Sequence, residues 1–229
     1  MGQKIHPYGF RLGIIHKHHA NWFATKTNYS AYFFEDLYIR QFFKQQLKNK
    51  GILNIHICRQ PYNHIHVSLF CIKPNNFLIP GKNHLKTIQL KLQTLLAKYQ
   101  NSSEVCSQFP NKINKYNQPL RLSIQLIEDF NYEQNAFFLA TFLIEQLEKR
   151  IAFRRAIKKT FKRVKMHSIL GIKIQISGRL NGAEIARTEW VQDGQVPLQS
   201  LAANIDYTSQ IAKTIYGILG IKIWIFQKI

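Results

Sequence analysis

Between Phe153 and Lys165 the chain reads Phe-Arg-Arg-Ala-Ile-Lys-Lys-Thr-Phe-Lys-Arg-Val-Lys. At about 100° per residue, Phe153, Ala156, Ile157, Thr160, Phe161 and Val164 fall on one side of a helix. Arg154, Arg155, Lys158, Lys159, Lys162, Arg163 and Lys165 fill the other, and no acid interrupts them. Like charges four apart, such as Arg154–Lys158–Lys162 and Arg155–Lys159–Arg163, weaken an isolated helix. Phosphates that displace condensed counterions remove that conflict. The chemistry on offer is therefore polyanion binding. An ordinary solvated face would mix signs. A basic amphipathic helix can also lie on a membrane, but the apolar side here has the width that core packing needs.

Other reactive side chains do not converge. His16, His18 and His19 cluster near the start, and His56, Cys58, His64, His66 and Cys71 lie across one candidate hairpin. Neither group has the tight paired spacing of a zinc site, and alternating histidines fit a wetted sheet face. Glu184 and Glu189 would lie on opposite faces of one strand, so they cannot pair over a metal with Asp193 and Asp206 as a nuclease requires. No nucleophile–base arrangement and no phosphate-binding glycine motif is present. The expectation is a protein that is not an enzyme and carries no cofactor or metal.

Composition agrees. The 229 residues hold 32 Lys plus Arg against 12 Asp plus Glu, a net charge of +20, with 45% hydrophobic residues. There is material for cores, and the charge calls for a polyanionic partner. The first acid is Glu35, so Lys4, Arg11, Lys17 and Lys26 sit in a purely basic opening segment. Tyr8, Phe10, Trp22 and Phe23 interleave with them and could either stack on bases or anchor the segment to its own domain. Three cysteines, Cys58, Cys71 and Cys106, argue against a disulfide framework. The longest apolar stretch, 136–144, is too short to span a bilayer, so no membrane partner is expected.

These side chains need a scaffold. Residues 1–29 have no clean period and read as an extended arm. Ser30 can cap a helix over 31–50, with Phe34, Leu37, Tyr38, Gln41, Phe42 and Gln45 recurring along one face and Gly51 as its stop. Strands at 52–59 and 64–72 flank Pro61-Tyr62-Asn63 as a hairpin. A helix follows at 85–99, an Asn/Ser/Pro-rich loop at 100–119 and a strand at 120–127. Asn131 can cap a helix over 132–149, followed by the basic helix at 152–165. Strands at 171–179 and 183–192 are joined at Asn181-Gly182, and Asp193-Gly194 marks another turn. Residues 205–217 are ambiguous between strand and helix, and 220–226 is a strand. Leu-Gly-Ile-Lys-Ile occurs at 170–174 and again at 219–223, marking two similar strands. The expected fold class is α+β: an arm over 1–29, an α/β domain over 30–129, and a two-layer α/β domain over 130–229 with an antiparallel meander.

Several blocks resemble one family. Gln146-Leu147-Glu148-Lys149-Arg150-Ile151-Ala152-Phe153-Arg154-Arg155-Ala156 is similar to the universal small-subunit ribosomal protein three. So are Met1-Gly2-Gln3-Lys4-Ile5-His6-Pro7 with Phe10-Arg11-Leu12-Gly13, the stretch from Ile176 to Trp190, Val196-Pro197-Leu198, Ile205-Asp206-Tyr207, and Tyr216 through Phe226. The resemblance implies a KH-type first domain and a place in the head of the small ribosomal subunit. It implies small-subunit rRNA, messenger RNA and the small-subunit proteins ten and fourteen as partners. Residues that grip incoming messenger at its entrance map onto Arg154, Arg155 and Lys158. Together with the basic pattern, it makes Lys4, Arg11, Lys17, Lys159, Lys162, Arg163, Lys165, Arg179 and Arg187 candidate rRNA contacts. One departure stands out. The stretch 77–84, where a KH domain carries Gly-x-x-Gly, holds a single glycine, Gly81; a scaffold with a weakened loop is expected. A second reading is a free-standing KH-type RNA- or DNA-binding protein. The richness in Ile, Asn, Lys, Phe and Tyr suits an AT-rich genome. With no long Arg/Ser-rich presequence in view, it points to a plastid ribosome, with bacterial cytoplasm or a mitochondrion as alternatives.

Overall fold

The computed structural model describes residues 3–47, 51–60, 63–74, 84–100, 120–164 and 169–228. The chain is mixed α+β and forms two compact units, one from His19 to Phe130 and one joining the residues up to His18 with those from Asn131 onward.

In the unit from His19 to Phe130, a short strand β1 (Ala20–Asn21) precedes a helix over Lys26–Gln46. Then come β2 (Ile52–Gln60), β3 (His64–Cys71), a helix over His84–Gln100 and β4 (Arg121–Glu128). The sheet order is β1-β2-β3-β4, antiparallel between β2 and β3 and parallel at β1–β2 and β3–β4. Burial alternates along β3, so Ile65, Val67 and Leu69 enter a core with Ile39, Phe43, Leu92 and Leu96. His64 and His66 face the other way and hydrogen-bond the Ser123 hydroxyl at 3.0 and 2.8 Å.

The first helix begins at Lys26, with Ser30 inside it. Its buried face is also not the expected one. Phe34 and Leu37 are exposed, whereas Glu35 and Asp36 are buried with Ile39, Phe42 and Phe43. Arg59 explains the inversion. Its guanidinium donates to Glu35 Oε2 at 2.7 Å and to Asp36 Oδ1, and to the Tyr32 carbonyl at 3.1 Å. Trp22 Nε1 donates to Asp36 Oδ2 at 2.7 Å. Buried charge is tolerated when paired and hydrogen-bonded, and the partner arrives from the next strand. The loop 77–84 and its Gly81, like residues 101–119, lie outside the described residues apart from the helical start at His84.

The other unit opens with α1 (Pro7–Phe10). A 3₁₀ turn over Tyr132–Gln134 precedes α4 (Ala136–Glu148), numbering the two helices above α2 and α3, and then α5 (Phe153–Val164). Asn135, rather than Asn131, caps α4, its side chain accepting from the Phe137 N–H at 2.9 Å. Four antiparallel strands follow: β5 (Ile169–Gly178), β6 (Arg187–Gly194), β7 (Asn204–Thr214) and β8 (Gly217–Gln227), in the order β6-β5-β8-β7. This is two hairpins joined through β5–β8, not a meander. The two Leu-Gly-Ile-Lys-Ile strands are the central pair, with Ile172, Ile174 and Ile176 in register with Ile225, Ile223 and Ile221. All six are in the core under α4 and α5. Polar β6, exposed along nearly its whole length, takes an edge.

Neither expected turn dipeptide makes a two-residue hairpin. Asn181-Gly182 lies in a 3₁₀ turn within an eight-residue connection, so Glu184 precedes β6 instead of sitting in it. Asp193-Gly194 ends β6 in register with Ile172 and Gly171. Gly194 has φ +74°, and a Cβ there would lie 2.4 Å from the Leu170 carbonyl oxygen, a contact only glycine avoids. The ambiguous stretch at 205–217 is strand through Thr214, then a tight turn into β8.

Candidate nucleic-acid interface

α5 sorts as its spacing requires. Phe153, Ala156, Ile157, Thr160, Phe161 and Val164 are all buried, and the Thr160 hydroxyl closes back on the Ala156 carbonyl at 3.0 Å. The helix has no acid in its first turn. Its start is held from outside, the Phe153 N–H donating to Asn181 Oδ1 at 3.3 Å. A core-anchored apolar side therefore fixes the direction in which the cations point.

Arg154, Arg155, Lys158, Lys159 and Lys162 are exposed. Among the described residues, Arg155, Lys158 and Lys162 form no ion pair. Arg154 comes within 4.0 Å of Glu189 on β6, and Arg187 donates to the same carboxylate at 3.0 Å. That trio keeps an unbalanced positive charge, and such exposed pairs are weak. Lys159 Nζ reaches Gln146 Oε1 at 3.4 Å. Lys158 and Lys162, with Phe161, line an open groove whose far wall is Val191, Gln192 and Asp193 of β6. A phosphate chain laid along α5 would meet flexible cations with free donors on a rigid base.

Other candidates are placed differently. Arg163 is only partly exposed. It donates to Glu133 at 2.9 Å and lies 4.8 and 4.9 Å from the ring centroids of Phe138 and Phe142, so its charge ties α5 to the turn before α4. Arg179 is exposed, but its guanidinium holds the Ala183 carbonyl at 2.8 Å and that of Tyr216 at 3.4 Å. Lys165 lies outside the described residues. Lys4 and Lys17 are exposed.

Arg11 departs furthest from expectation. It is fully buried and donates to the carbonyls of Pro7, Pro197, Leu198, Ser200 and Ala203 at 2.7–3.3 Å. With no exposed surface it has nothing to offer RNA. Desolvation pushes its pKa below the usual arginine value. Arg11 thus clips α1 and the segment 197–203 together. Tyr8 is an anchor as well, its hydroxyl donating to the Lys17 carbonyl at 2.6 Å and its ring stacked on His16. Burial and the nearby Asp206 carboxylate raise its pKa. Phe23 is 92% exposed.

The groove wall on β6 and the outward Lys173 of β5 escaped the sequence reading. The signal was there: alternation along Ile172-Lys173-Ile174-Gln175-Ile176 separates an apolar face from a polar one. Among the described residues no helix is long and apolar enough to cross a membrane.

Residues 143–225 match the family described as "Ribosomal protein S3, C-terminal domain". The chain is 41% identical to "Small ribosomal subunit protein uS3c" of Guillardia theta, an alignment covering 99% of this chain and 95% of that one. The protein of the same name from Cyanophora paradoxa is also 41% identical, covering 99% and 94%. "Small ribosomal subunit protein uS3" of Gloeothece citriformis is 38% identical, covering 99% and 86%.

Proposed function

Because the chain belongs to the small ribosomal subunit protein uS3 family, we propose that the exposed basic face of α5 grips messenger RNA at its entrance to the small subunit. The protein is a structural constituent of that subunit and not an enzyme. The observation that carries the reading is the division of α5 itself. One side is wholly buried, and the other presents Arg155, Lys158 and Lys162 without any ion pair among the described residues. A face built this way stabilises phosphate through counterion release and holds it by position, not by base identity. Arg154, Arg155 and Lys158, nearest the helix start, meet the messenger. Lys159 and Lys162 one turn on, with Lys4, Lys17, Arg179 and Arg187, meet small-subunit rRNA.

The unit from His19 to Phe130 is a KH-type scaffold in this reading. Its helix-strand-strand-helix-strand order and mixed sheet support that assignment. Small-subunit proteins ten and fourteen are the protein's neighbours in the head, following the family resemblance. The compartment is the plastid, in keeping with the uS3c relatives from algae.

The test is a translating system with matched messages, one carrying a downstream hairpin and one without. Arg154→Ala, Arg155→Ala and Lys158→Ala together should slow the structured message and leave the other nearly unchanged. Equal slowing on both would assign the residues to assembly, and no slowing on either would refute the reading.

A further inference from the structure

The sheet of β5–β8 segregates charge between its faces. Cross-strand partners share a face. The register puts Glu189 opposite Ile176, Asp193 opposite Ile172 and Asp206 opposite Ile225, and those isoleucines lie in the core beneath the helices. All three acids of these strands therefore sit on the helix side. The opposite face carries two adjacent rows, Gln192–Lys173–Trp224–Tyr207 and Trp190–Gln175–Lys222–Ser209, with no acid in either. Val196, Leu198 and Ala203 of the connection before β7 pack over the end around Ile205 and Trp224. Lys222 remains exposed and Trp190 is 59% exposed.

In the open part, Lys173 Nζ lies 4.5 Å from the centroid of the Trp190 ring and 6.0 Å from that of Trp224. Lys4 Nζ approaches the same Trp224 ring at 6.0 Å. Burial and the charge of Lys4 both push the pKa of Lys173 down. Two ammonium groups beside one indole attract the ring but repel each other. Neither has an acid partner among the described residues. An anion between them resolves the conflict.

We propose that this face is a second RNA contact, in which Lys4 and Lys173 hold one phosphodiester and Trp190 carries an unstacked base beside it. The exposed side of an indole suits any base, because every base has a π-face. Lys222, next along the row from Gln175, adds to the field that draws the backbone in. The inference takes RNA as the polyanion from the reading above, but it concerns a surface that α5 does not form.

The test uses the full-length protein and a small-subunit rRNA transcript, with affinity measured across salt concentrations. Lys4→Gln with Lys173→Gln should make the log–log salt slope shallower by about one. Trp190→Ala should weaken binding by about an order of magnitude with the slope unchanged, and Trp190→Phe should keep most of the affinity. Thermal melting confirms that each variant is folded. A third variant, Lys159→Ala with Lys162→Ala, reports separately on the rRNA contacts of α5. If that variant weakens binding while the Lys4/Lys173 and Trp190 variants match wild type, the proposal falls and the α5 reading stands. If wild type does not bind the transcript, both fall. A lysine effect with Trp190 silent would overturn the proposal as stated, because the face would then hold RNA backbone without carrying a base. Effects seen only when other subunit proteins are present would assign the face to a protein and overturn it too.

Discussion

Arg11→Met should destabilise the unit containing α5 by about 2–4 kcal/mol, because it strips the donor from several buried carbonyls and each acceptor left unsatisfied costs roughly 1–3 kcal/mol. The substitution roughly conserves volume, so little of the loss comes from a cavity. The donor set decides the size. Three contacts are short, to Ala203 at 2.7 Å, Ser200 at 2.8 Å and Leu198 at 2.9 Å, and those to Pro7 and Pro197 are longer at 3.2 and 3.3 Å. A hydrogen bond from a charged donor contributes roughly 1.5–3 kcal/mol net. Against that, the variant is relieved of desolvating a guanidinium, and water can reach the carbonyls nearer the surface. Arg11→Lys should recover only part of the loss, because a single ammonium cannot fork across five carbonyls. The assay is urea unfolding combined with hydrogen exchange at the Ala203 amide, which donates to the Ser200 carbonyl. Exchange there should accelerate while the salt slope of rRNA binding stays as in wild type. Unchanged stability with a slope shallower by about one would refute the reasoning and make Arg11 a phosphate ligand.

Glu133→Gln should cost about 1 kcal/mol or less in unfolding free energy, because the Arg163 pair is partly exposed. His56 has its pKa lowered by burial and then by Arg40, and it sits 3.0 Å from a His19 ring nitrogen. Unfolded His56 binds a proton near pH 6.5 while the folded state resists it, so its contribution is full above that pH and is lost as pH falls toward the depressed folded value. His56→Gln should remove that part of the acid dependence in a pH series of chemical denaturation. Arg155→Ala with Lys158→Ala and Lys162→Ala should leave the melting temperature no lower than wild type, since alanine favours helix and the like-charge repulsion is relieved. Only Lys162 of the three is an rRNA contact in this reading, so the rRNA salt slope should become shallower by about one.

How much was legible depends on whether the deciding partner was local. In α5 the period of 3.6 sorts every residue between Phe153 and Val164 without outside help, so helix and face both follow from spacing. The repeated pentapeptide marks β5 and β8, and their shared isoleucines suit them to the centre of the sheet, each with a strand on either side. The strand order was out of reach, because nothing local says that 195–203 carries the chain from one sheet edge to the other. The buried face of α2 was misjudged because Glu35 and Asp36 are polar until Arg59 arrives from β2 to neutralise them. Arg11 looked like a phosphate ligand for the same reason. Four of the carbonyls that bind it lie 186 or more residues away. Asn181-Gly182 reads as a hairpin turn, yet Asn181 is used to hold the start of α5.

The most direct test of the account is amine-reactive labelling of Lys158 and Lys162, read by mass spectrometry in three states: free protein, assembled small subunits, and subunits loaded with messenger. Free protein should label at both. Lys162 should be protected on assembly, and Lys158 should lose most of its remaining reactivity only when messenger is bound. Equal labelling of both lysines in all three states would contradict the claim that this face of α5 is an RNA contact.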